Sequence, residues 1–200
     1  RRELTCALLD VRAGSPPTGA KWLSRHGRYM DDLDRLLHDW ERWSAELLES
    51  HLSYPVLAYF RSQHDNQSWL AALSTVLDTC AFAMAGLDGV CRRQAELTFA
   101  IARHTVVDLS QIFGTRPHMP QENRLPPKDL RDLLGGLTAS GLRIREGDEF
   151  ERTLTELRRM YEPYVHALSH YLRIPIPPWI SESSRMDNWQ TSAWGRSEHF

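Results

Sequence analysis

Apolar residues recur at alternating steps of three and four along most of this chain, a spacing that only an amphipathic helix places on one face. Leu33, Leu36, Trp40, Trp43 and Leu47 step by 3, 4, 3 and 4, with Asp31, Asp32 and Asp34 at the front, where the helix dipole favours acids. The spacing predicts a helix over about 30–50. Ser53 then reads as an N-cap for a short helix with Pro55 in its first turn. Residues 62–66 read as a turn, with Asp65 or Asn66 capping the next helix. That helix carries Leu70, Leu73, Leu77, Cys80, Met84 and Leu87, and Gly86 and Gly89 predict a break after it.

From Val90 to Phe113 two apolar stripes appear, Leu97/Ile101/Ile112 and Phe99/Ala102/Val106/Leu109/Phe113, which reads as a central helix closed by Gly114. Residues 115–127 read as a loop and 128–138 as a short helix. Phe150, Leu154, Leu157, Tyr161, Tyr164, Leu168 and Tyr171 give a last helix over about 148–172, kinked at Pro163. Ile174-Pro175-Ile176-Pro177-Pro178 stops it. Beyond lies a polar stretch that holds Trp179, Trp189 and Trp194 and lacks helical period, read as an extended tail docked by its tryptophans. No run alternates apolar and polar long enough for a strand. The expected class is all-α: a compact multi-helix bundle of about 5–7 helices with an irregular C-terminal tail. Its divisions are an N-terminal segment 1–28, a bundle 29–173 and a tail 174–200.

Composition narrows the chemistry. The 200 residues include 24 Lys plus Arg against 26 Asp plus Glu, a net charge of −2. No positive excess exists to drive nucleic-acid binding, so none is expected as a partner. All the basic residues except Lys21 and Lys128 are Arg, the side chain suited to bidentate ion pairs. Three scattered thiols, Cys6, Cys80 and Cys91, form no disulfide framework and read as a reduced, cytosolic interior. The apolar stretch 67–87 is interrupted by Asp78 and reads as a buried helix, not a membrane span.

Two constellations stand out. Between His51 and Trp69 the chain gathers His51, Tyr54, Arg61, His64, Asp65, Asn66 and Trp69. These residues read either as a helix–helix corner whose polar groups cap backbone ends or as a ligand pocket. The second is His104 and Asp108, four apart on the Leu97/Ile101/Ile112 face, read as a buried hydrogen-bonded pair that Asp78 joins in one network. The i, i+4 spacing also suits two metal ligands, but zinc needs two more and nothing adjacent supplies them. No metal or cofactor is therefore expected. Phosphate-binding glycine loops, H-E-x-x-H and G-x-S-x-G are absent from the sequence. The enzyme alternative is a metal-dependent His-Asp hydrolase using His51, His64, Asp65, His104 and Asp108. A blander alternative is a freestanding helical scaffold.

The stretch from Ala45 to Leu70, through His51-Leu52-Ser53-Tyr54-Pro55 and Gln63-His64-Asp65-Asn66-Gln67, resembles the soluble region of bacterial potassium-channel family proteins. Leu97 to Leu109 is similar to a second recurring block of that group. Arg1 to Pro17 resembles the segment that follows their last membrane helix. The resemblance implies a two-helix pore upstream and makes this chain a non-catalytic regulatory or assembly region on the cytoplasmic side of the inner membrane. The partner it implies is that pore segment of the same protein, the chain's link to the membrane. Such pores need four units, so homo-oligomeric contact is implied as well, with the heptad face of 148–172 as its candidate surface.

Overall fold

The structure, a computed structural model, describes residues 18–26, 30–59, 68–87, 91–120 and 122–180. Among them are seven α-helices: α1 (Gly19–His26), α2 (Met30–Ser53), α3 (Trp69–Gly86), α4 (Cys91–Ile112), α5 (Pro127–Ala139), α6 (Asp148–Arg159) and α7 (Glu162–Leu172). A 3-10 turn, Pro55–Tyr59, follows α2, and one isolated antiparallel bridge joins Leu87 to Ile144. The all-α bundle expected from the spacing is the fold.

The centre is α3, not α4. Every residue of α3 except Met84 is buried. By length and hydropathy it would pass for a membrane span, yet the other helices enclose it. Its N-terminus is capped by Ser68, whose Oγ accepts from the Ala71 amide at 2.9 Å, rather than by Asp65 or Asn66, which lie outside the described residues. It ends at Gly86, where the Phe150 ring of α6 fills the space a side chain would need. A Cβ there would stand 2.7 Å from Phe150 Cε2. The rings of Phe82 and Phe150 meet edge to face beside it.

Helices α2 and α4 run parallel in close contact. Thr98 Oγ1 donates to the Leu37 carbonyl at 2.9 Å and Thr105 Oγ1 to the Ser44 carbonyl at 3.2 Å, a step of seven on both helices. Small residues (Ser44, Ala95, Ala102 and the two threonines) allow this approach, and all are buried. The helices therefore meet through hydroxyls on backbone carbonyls as well as through Leu37, Leu47, Phe99 and Val106.

Four boundaries differ from the sequence expectation. Ser53 is the last residue of α2, not the cap of a following helix. The segment read as one kinked helix over 148–172 is two helices, since Met160 and Tyr161 leave the helical path between them. Pro163 sits in the first turn of α7, where its missing amide costs nothing, and so starts a helix instead of kinking one. Helix α1 has no counterpart in the expectation. Thr18 opens it by accepting from the Lys21 amide at 3.2 Å, and Trp22 and Leu23 are fully buried, with Trp22 edge-on to Trp40. The core thus reaches into the segment placed at 1–28. It also reaches past residue 173, because Ile174 and Trp179 are buried. Trp189, Trp194 and Cys6 lie outside the described residues.

Candidate functional site

The polar cluster from His51 to Trp69 is split by its surroundings. His51, in the last turn of α2, is buried, with Nδ1 2.8 Å from the Leu47 carbonyl and its ring 5.1 Å from that of Trp69. Trp69 in turn donates from Nε1 to the Ala58 carbonyl at 3.5 Å, holding the 3-10 turn against the start of α3. These two residues form a joint of the bundle. Tyr54 points the other way and is exposed. Arg61, His64, Asp65 and Asn66 lie outside the described residues.

His104 and Asp108 do pair, at 3.2 Å, but on the surface: their side chains are 60% and 29% exposed. This corrects the expectation of a buried network with Asp78. The reason is which stripe of α4 faces inward. Phe99, Ala102, Val106 and Leu109 are joined by Ala95, Thr98 and Thr105 on the core side, leaving Leu97 and Ile112 exposed on the other. Among the described residues, no three His, Cys, Asp or Glu side chains come together as a metal site would require.

Asp78 is buried, and its partners come from elsewhere. Arg124, from the loop before α5, grips it as a fork, Nη1 to Oδ1 at 3.1 Å and Nη2 to Oδ2 at 2.7 Å. The same guanidinium donates from Nη1 to Glu162 Oε1 at 3.2 Å and from Nη2 to the Pro177 carbonyl at 2.8 Å. Tyr161 Oη donates to Asp78 Oδ1 in a short bond. Arg158, one turn before Glu162, donates to it from Nε at 3.0 Å and Nη2 at 3.2 Å, and from Nη2 to Asn123 Oδ1 at 2.7 Å. The Arg158 guanidinium also lies 5.7 Å from the centre of the Trp179 ring.

These groups tie together α3, the 120s loop, the α6–α7 junction and the segment after α7. Arginine keeps its charge in any protein interior, so a neutral cluster requires both carboxylates ionised: two cations face two anions. Burial pushes the Asp78 carboxyl above the usual carboxylate range, while the Arg124 charge and hydrogen bonds pull it back down. Burial also works against the Arg124 charge, but Asp78, Tyr161 and Glu162 outweigh it and hold the guanidinium above its ordinary range. The Tyr161 hydroxyl is pushed well up, by burial first and then by the two carboxylates, so it stays a donor.

This clasp can hold segments in register. It presents no open face to a substrate. A depression of about 560 Å³ beside α5 is lined by Arg131, Leu134, Gly135, Thr138 and Glu146 and opens broadly to solvent. From sequence, the Asp78 partners could not be singled out: Arg124 is one of many arginines and sits in a loop that carries no periodic signal. No family model matches the chain, and no curated protein or solved structure is significantly similar to it.

Proposed function

We propose that this chain is a non-catalytic regulatory or assembly domain of a potassium-channel-like membrane protein, working through its packing and surfaces rather than through turnover. The sequence resemblance over 45–70 and 97–109 supplies the channel part of this reading. The observation that carries the non-catalytic part is the clasp, in which Asp78, Arg124, Arg158 and Glu162 all bond to one another or to structural partners. Four buried charges that cancel inside the core serve architecture, because a catalytic carboxylate or base must reach a substrate. Regulation by such a domain requires two arrangements of the bundle that an effector or neighbour binds unequally.

The coding sequence immediately before Arg1 is the direct test. Two apolar spans flanking a filter-like loop support the reading, and their absence from the gene refutes the channel assignment. Potassium flux through vesicles holding the full-length protein is the functional test. Flux altered by a clasp mutation such as Asp78→Asn, with the protein still folded and inserted, is the expected result.

A further inference from the structure

Residues 174–180 follow α7 with no helix or strand of their own, yet they belong to the core. Ile174, Pro177 and Trp179 are buried, and Ile176 and Ile180 pack half-covered against the same cluster. Their main chain is held lightly. At the root, the Ile174 amide donates to the Ser169 carbonyl at 3.1 Å, and Ser169 Oγ donates to the Ile174 carbonyl at 2.6 Å. Beyond Ile174, the single polar contact to this main chain among the described residues is Arg124 Nη2 on the Pro177 carbonyl. Spaced side chains in pockets, a carbonyl taken by a guanidinium and an aromatic anchor beside a second guanidinium are how a groove recognises an extended peptide.

The receiving surface is braced without this arm. Arg124 is held by Asp78 and Glu162, and Arg158 by Glu162 and Asn123, all of them outside 174–180. To these the arm adds the Pro177 carbonyl and the Trp179 ring. Pro175, Pro177 and Pro178 keep a freed arm near its extended form, so rebinding orders little chain. The arm also leaves the body through a strained joint. Arg173, with φ 54° and ψ 42°, is the one non-glycine residue of positive φ among the described residues. Its left-handed turn sends the arm back toward the α6–α7 junction, where Trp179 meets Arg158. Swinging the arm out releases that turn.

We propose that this cleft is a peptide-binding site for the 174–180 segment, filled in cis in the single chain and open to the same segment of a second copy, so that two chains trade arms. Every contact of the exchange is already present in the closed chain, so no further surface is needed and the two-fold pair closes on itself. The tether favours the cis arm, because a short link gives it a local concentration in the millimolar range. A weakened cis arm or a high chain concentration shifts the site to a neighbour's arm. The inference concerns the chain alone and does not rest on the channel reading.

Two full-length variants, each lacking one half of the contact, test it. Trp179→Ala keeps the cleft and loses the anchor, whereas Arg124→Met keeps the anchor and loses the donor to Pro177. Each alone is expected to elute from a sizing column at the mass of one 23.1 kDa chain, and their mixture at twice that mass. A labelled peptide of residues 172–181 gives the second measurement. It binds the Trp179→Ala protein and raises its Tm by about 5–10 °C near 100 Kd. It binds wild type at least about 10-fold more weakly, because the cis arm must leave first. Trp179→Leu takes the place of Trp179→Ala where the alanine variant does not fold. No peptide binding by either variant up to about 1 mM overturns the site, as does equal affinity for a peptide carrying Trp179→Ala. Peptide binding without a mixed complex overturns the exchange between copies.

Discussion

Replacing Arg124 by Met removes both bonds to Asp78, the bond to Glu162 and the bond to the Pro177 carbonyl, while leaving a side chain of similar length in the core. Asp78 then keeps only Tyr161 as a hydrogen-bond partner within the clasp, and the cluster changes from balanced to one excess anion. Breaking a buried pair from one side costs about 3–5 kcal/mol. In a chain of this size each kcal/mol moves Tm by about 2–4 °C, so the variant melts roughly 6–20 °C lower. Adding Asp78→Asn restores electrical balance, because Glu162 and Arg158 remain paired and the amide oxygen still accepts from Tyr161. The double variant recovers about half or more of the loss, and together with the Asp78→Asn single variant it closes the cycle that gives the coupling energy of the pair.

A pH series separates charge from packing in the same experiment. Burial already holds the folded Asp78 carboxyl above its unfolded value, and without Arg124 the strongest opposing influence is gone. A carboxyl whose folded pKa is raised destabilises fully above that pKa, and the penalty disappears as pH falls toward the unfolded value of 3.8. The gap between Arg124→Met and wild type therefore narrows on acidification, while the double variant, with no carboxyl at position 78, loses the Asp78 part of the pH dependence. Urea unfolding followed by tryptophan fluorescence measures both. A single-variant cost under about 1 kcal/mol, or a gap that ignores pH, would show that the clasp carries no charge energetics.

Other consequences are local. Gly86→Ala drives a methyl into the Phe150 ring and costs about 1–3 kcal/mol, whereas Gly135→Ala, with nothing within 4 Å of the new Cβ, stabilises α5 by up to about 1 kcal/mol; thermal melts resolve the opposite signs. Trp179→Ala empties a buried site and removes the ring beside Arg158, costing about 3–5 kcal/mol and raising hydrogen exchange at residues 174–180. His166 is held below its ordinary pKa by burial, then by Arg124 and His118, with Asp78 opposing. Its folded form resists protonation, so stability is lost as pH falls through 6.5 toward the lowered value, and His166→Gln flattens that slope in unfolding curves. His104→Ala/Asp108→Ala removes a surface pair and shifts stability by less than about 1 kcal/mol; a larger loss would mean that the pair is structurally coupled to the core.

What the sequence made legible was the period, and what it hid was the choice among apolar faces. The step of three and four located α2, α3 and α4 within a few residues, because each buries a long stripe. It misjudged α4, whose Leu97/Ile101/Ile112 stripe is bulkier than Ala95, Thr98, Ala102 and Thr105. Burial followed closeness instead: small residues let α2 approach, and hydroxyls found backbone carbonyls there. Helix α1 escaped notice because two buried side chains in eight residues give no period to count. The break at Met160–Tyr161 escaped because Tyr161 keeps heptad spacing while its ring is drawn to Phe99 and its hydroxyl to Asp78. For the site, the spacing puts Asp78 in a buried network with His104 and Asp108, and of the three only Asp78 is buried. The partner came from a loop 46 residues away, which no local pattern encodes.

The position of the clasp explains why such costly groups are retained. Leucines in the same space would bury as well and would not require two ion pairs to form together. Apolar side chains, however, accept many registers, whereas a guanidinium fork on Asp78 with one arm also on Pro177 accepts few. The segments it joins are those with little regular structure to orient them: the loop before α5, the two-residue break before α7 and the proline-rich stretch after it. Helices α2, α3 and α4 set one another's register through long apolar stripes and stepped hydroxyl contacts. Directional charge is thus concentrated where hydrophobic periodicity ends, at the junction that joins the C-terminal third of the chain to the central helix.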